Sequence, residues 1–184
     1  GEGRITAGFQ VTFLAGDLPA AVSGTAVYTV ATGIADVVAE FANVVPARFA
    51  RGAPALERLA ALDLPVRGVA EARFLPFSGA VERVSFDLWS GRGRLLVPEF
   101  DSGQIDLVAA RLTGKVEQQL SICILENVYI DLGGPNLSAA AVVSNITDQA
   151  EAKVNIVARR LAAADIDRLW PARLRPDLRQ WVRR

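Results

Sequence analysis

The 184-residue chain has no histidine and a single cysteine, and its 20 basic side chains are balanced by 20 acidic ones. Each scarcity removes a class of function. A lone cysteine makes no intramolecular disulfide, and without histidine it lacks the usual activating base, so Cys123 reads as a small apolar side chain within the run 120–125. One cysteine suits a reducing or an oxidising compartment equally. Zero formal net charge argues against nucleic acid as a partner, and a hydrophobic content of 51% argues against disorder. No stretch approaches the roughly 20 apolar residues that a spanning helix requires, and no signal sequence is present.

Catalytic and ligand-binding motifs are missing as well. Gly91-Arg92-Gly93-Arg94 and Gly133-Gly134-Pro135-Asn136 are followed by no helical pattern, which makes them turns rather than phosphate loops. Asp63, Asp87, Glu99, Asp101 and Asp106 are scattered without the spacing of a carboxylate dyad or a calcium loop. Ser121-Ile122-Cys123 carries no oxyanion or base signature. The expectation is a protein that is not an enzyme, with no cofactor and no metal.

What the chain has in quantity is alternation. In 5–13, Ile5, Ala7, Phe9, Val11 and Phe13 alternate with Thr6, Gly8, Gln10 and Thr12, the period of a strand with one apolar and one polar face. The run 21–31 places Val22, Ala26, Tyr28 and Val30 on one side, and 34–45 sets Val37, Ala39 and Phe41 against Asp36 and Glu40. Residues 53–63 change period: Leu56, Leu59 and Ala60 fall at helical spacing behind Pro54, which predicts a short helix. Strands resume over 66–160. Val84, Phe86 and Leu88 alternate with Arg83, Ser85, Asp87 and Trp89, and Val154, Ile156 and Ala158 with Lys153, Asn155 and Arg159. Between them come 94–97, then 105–112 and 120–132 separated by Thr113-Gly114-Lys115, then 137–144. Neighbours this close in sequence join as an antiparallel meander, so the fold class is mainly β with short helices, about nine or ten strands in a single segment.

The last stretch, 163–184, is helical and basic: eight arginines stand against three aspartates over 158–184. Asp165 or Asp167 can cap a short helix carrying Leu169 and Trp170, which Pro171 ends; Pro176 suits the start of another, with Leu178, Trp181 and Val182 on one face. This is either a capping helix over the open end of a sheet or a basic amphipathic segment that touches a membrane. The chain opens at Gly1 and stops within that second helix, so a section of a longer polypeptide is expected. Two architectures satisfy the strand alternation equally. A sandwich or barrel packs apolar faces together; a curved sheet leaves a concave apolar face for lipid chains.

Three pieces favour the second. The stretch from Pro54 to Gly68, PALERLAALDLPVRG, is followed by Tyr129-Ile130-Asp131-Leu132-Gly133-Gly134-Pro135, and then by Asp167-Arg168-Leu169-Trp170-Pro171 with Arg179-Gln180-Trp181-Val182. In this order and spacing they resemble the AsmA-like family of bacterial envelope proteins, in particular its large YhdP-type members. The resemblance implies an antiparallel β-meander forming a curved, taco-like groove of repeated hairpins. The full-length protein would be periplasmic, anchored to the inner membrane, and would hold phospholipid acyl chains between inner and outer membrane. Neighbouring β-groove units of the same polypeptide would continue the groove, and Asp167, Leu169, Trp170, Pro171 and Trp181 would mark a helical interruption of it. On this expectation Phe9, Val11, Phe13, Tyr28, Val30, Val84, Phe86, Leu88, Val128, Ile130, Val154 and Ile156 line the groove. The rival expectation is a structural or assembly module of the envelope with a closed β core, docking a protein partner through Arg173, Arg175 and Arg179. A small lipocalin-like carrier fits less well, given the helix in mid-chain.

Overall fold

The structure, a computed structural model, describes residues 3–15, 18–50, 59–98, 103–117, 119–145, 150–162 and 165. It is mainly β and antiparallel. Nine strands form one continuous sheet: β1 (Arg4–Ala15), β2 (Leu18–Thr29), β3 (Ile34–Val44), β5 (Val66–Leu75), β6 (Ala80–Ser90), β9 (Ala109–Glu117), β10 (Ile122–Asp131), β11 (Asn136–Ser144) and β12 (Glu151–Arg159). Their spatial order is their order in sequence, which is the meander expected when each strand pairs with the next available one. The sheet is not closed, and β1 and β12 are its edges.

Two connections leave this simple pattern, both at the same end of the sheet. The first carries α1 (Pro46–Phe49) and β4 (Leu62–Asp63), and the second carries β7 (Gly93–Leu96) and β8 (Gln104–Leu107). β4, β7 and β8 pair into a small sheet of their own, with Asp63 opposite Arg94 and forming an ion pair with it. The predicted helix over 53–63 lies mostly outside the described residues. Of those described, Leu59–Ala61 make one tight helical turn, and Leu62 and Asp63 are strand rather than helix. Among the described residues, α1 starts earlier than the predicted helix, with Pro46 in its first turn at a fixed φ.

Other expectations from the sequence need correction. Thr113-Gly114-Lys115 does not separate two strands but runs through the middle of β9, and a turn follows at 119–121, where Gln119 and Leu120 adopt positive φ. The run 105–112 is broken at Val108, whose N–H leaves the ladder to donate to the Asp131 carbonyl. β3 pairs directly with β5, so the connection between them interrupts the chain but not the sheet. The segment 166–184, with Asp167, Leu169, Trp170, Pro171 and Trp181, lies outside the described residues.

The buried interior is small for a chain this apolar. Buried hydrophobic residues are Ala20, Ala35, Val45, Leu64, Leu107 and Ala141, and among the described residues no large side chain is fully buried. The clearest packing is local: Phe13 and Ala47 pack on Ala20 and Val45, and the Phe49 ring stands edge-on to Phe13 at 5.0 Å.

Candidate functional site: a continuous apolar face

Residues directly opposite in an antiparallel ladder project to the same face, so the registers assign every strand residue to a side. One row runs Phe9, Gly24, Ala39, Ala70, Phe86, Gly114, Leu125, Ala141, Val154 across all nine strands. The next runs Val11, Val22, Phe41, Gly68, Leu88, Leu112, Val128, Ala139, Ile156. A third, from Ala7 through Val84 and Cys123 to Ala152, is equally free of charge. Eight spacings of about 4.8 Å make such a row about 38 Å long.

Eleven of the twelve residues picked from the sequence therefore share this face: Phe9, Val11 and Phe13 on β1, Tyr28 on β2, Val84, Phe86 and Leu88 on β6, Val128 and Ile130 on β10, and Val154 and Ile156 on β12. The twelfth, Val30, lies just past the end of β2, where its N–H donates to the Gly3 carbonyl and continues the β1–β2 ladder. The residues expected to line the groove included none from β3, β5, β9 or β11, which add Phe41, Ala70, Leu112 and Ala141 to the same rows. Their signal was the same alternation, diluted by alanine and glycine.

Among the described residues no second layer packs across this face, and elements contact mainly their ladder neighbours. Large apolar side chains consequently stay accessible toward the edges: Val11 is 55% exposed, Val154 55% and Ile156 63%. Soluble monomers rarely expose an apolar patch beyond a few hundred Å², which makes a charge-free face spanning nine strands a candidate binding surface. Aromatic contacts mark its two ends. Phe13 meets Phe49 at one, and Tyr28 meets Phe77, from the β5–β6 turn, at the other, with ring centroids 6.1 Å apart.

The glycines of the rows are places of close approach. A Cβ on Gly24 would run into the Val38 carbonyl of β3 and lie 2.7 Å from the Phe9 ring. A Cβ on Gly114 would lie 2.5 Å from the Ile124 carbonyl and 3.1 Å from the Phe86 ring. Each phenylalanine thus lies over the glycine opposite it. The ladder is also irregular at three places: between Phe41 and Val44 on β3, between Arg73 and Phe74 on β5, and after Leu125 on β10.

The opposite face is mixed: Val38, Trp89, Val142 and Val157 are exposed on it, but it also carries charge, including three ion pairs. Arg73 donates to Asp36 at 2.7 Å, Arg111 to Asp87 at 2.8 Å and Lys115 to Glu117 at 3.0 Å. The hydrogen bond from Arg111 holds the Asp87 carboxyl below its ordinary range, and Asp87 in turn raises Arg111. Arg73 is raised by its hydrogen bond with Asp36. On the apolar face, burial pushes the Cys123 thiol up, which keeps it neutral. Among the described residues no cluster of three metal-ligating side chains occurs, and no helix is long and apolar enough to cross a membrane. Comparison with family models, with curated proteins and with solved structures returned no match.

Proposed function

We propose that this chain is a section of a periplasmic lipid conduit, anchored to the inner membrane in the full-length protein. Its sheet is a curved, taco-like groove of hairpins that holds phospholipid acyl chains between inner and outer membrane. The observation that carries the reading is the apolar face itself: three rows of side chains crossing nine strands without a charge, and uncovered among the described residues. Curvature toward that face is supported by Gly24 and Gly114, which remove crowding on the inner side of a bend, and by the three ladder irregularities. The envelope location rests on the resemblance in the sequence.

The chemistry needed is non-directional. An acyl chain laid on the face leaves water at about 0.8 kcal/mol per buried methylene, so no headgroup pocket is required and the headgroup stays hydrated at the rim. A neighbouring unit of the same polypeptide would lengthen the groove by pairing at the β1 edge. No step in this reading makes or breaks a bond, so the protein is not an enzyme and takes no cofactor.

A fluorescent polyene fatty acid, which brightens on leaving water, tests the face directly. Its titration should show saturable binding that Phe86→Asp weakens at least tenfold and Ser85→Asp, one residue along on the opposite face, leaves unchanged. Equal effects of the two substitutions in folded protein would defeat the assignment of the apolar face as the binding surface.

A further inference from the structure

β12 is an edge strand in which every residue from Glu151 to Arg159 is exposed. Its inner neighbours do not match its charges: Glu151 stands opposite Ser144, Lys153 opposite Val142 and Arg159 opposite Asn136. Among the described residues neither Glu151 nor Arg159 has an ion pair. We infer that this edge is a self-complementary interface at which a second copy of the chain adds its own β12, antiparallel, about a two-fold axis through Asn155.

The register follows from two independent conditions. A two-fold axis perpendicular to the sheet keeps the apolar faces of both copies on one side only if odd-numbered residues, which here lie on the charge-bearing face, meet odd-numbered ones. Among such registers, centring on Asn155 sets Glu151 of each copy against Arg159 of the other. It also sets Val154 against Ile156 on the apolar face, while Lys153 meets Val157 and keeps its ammonium in water. Moving the axis to Ile156 would oppose Lys153 and Arg159, and moving it to Lys153 would oppose the two lysines, so like charges disfavour both. The centred register pairs opposite charges at both ends and leaves no like charges directly opposed. The product is an isologous dimer whose two sheets merge into one, with a continuous apolar face. An interface of one strand pair is small, so the association is weak and concentration-dependent.

The dimer needs no lipid, so it is measured apart from any groove function. Sedimentation velocity of the lipid-free chain at rising concentration should show self-association. Glu151→Arg and Arg159→Glu, each alone, set two pairs of like charges against each other and should weaken the dimer about tenfold. Mixing these two variants in equal amounts recreates both opposite-charge pairs and should restore dimer formation, as should the double variant Glu151→Arg/Arg159→Glu. A wild-type chain that stays monomeric overturns the inference. So does a dimer that survives in both single variants, which places the contact elsewhere, or a mixture that does not recover.

Discussion

Gly114 carries two meanings in this chain, and only one is visible in one dimension. Glycine marks turns in sequence, and Thr113-Gly114-Lys115 reads naturally as a break. In the sheet it is the one residue type that fits between the Ile124 carbonyl and the Phe86 ring. Gly114→Ala should therefore cost about 1–3 kcal/mol, seen as a lower urea midpoint, because neighbouring backbone has to move. Gly91→Ala is the matched control: a Cβ there meets nothing within 4 Å, and the midpoint should barely change. The charge-bearing face offers a pH test. The Asp87 carboxyl is held below its ordinary range by Arg111, so its stabilising effect is complete at pH values above the unfolded carboxyl's pKa, about 3.9, and is lost as pH falls through the lower folded value. The urea midpoints of wild type and Asp87→Asn should differ at neutral pH and converge below about pH 4. A gap that stays constant into acid would mean the pair is not what distinguishes them. Both groups are largely exposed, so the gap at neutral pH should be small.

At the level of elements, the strands were legible and the connections were not. Alternation gives the face of each strand in β1, β2, β3, β6 and β12 because period two leaves a mark in as few as five residues. α1 is too short for a helical period to register. Its four residues follow a strand-like run, and only Pro46 hints at the change. What stabilises it is a tertiary contact, Phe49 on Phe13, between residues 36 positions apart. Phe49→Ala should lower stability by about 1–2 kcal/mol, less than for a fully buried ring since Phe49 is 41% exposed. Thermal melts of Phe49→Ala, Phe13→Ala and the double variant would measure the coupling, and strict additivity would show that the edge-on pair contributes nothing of its own. The small sheet was hidden for a related reason: β4, β7 and β8 are two to four residues each and meet only because two separate connections emerge at one end of the large sheet.

For the molecule as a whole, the sequence determines which residues share a face but not whether that face is covered. A sandwich and an open groove impose the same alternation, so alternation alone does not choose between them. The ladder runs from β1 to β12 without closing, so this sheet is not a closed barrel. An open sheet with this much apolar surface is a liability in water unless something occupies it. The central claim is that acyl chains do. Native mass spectrometry with lipid extraction, on the chain purified from bacterial envelope fractions, is the most direct test. The account predicts phospholipid bound at a defined ratio and lost in Phe86→Asp. A clean lipid-free mass, under conditions that keep a known carrier loaded, would contradict it.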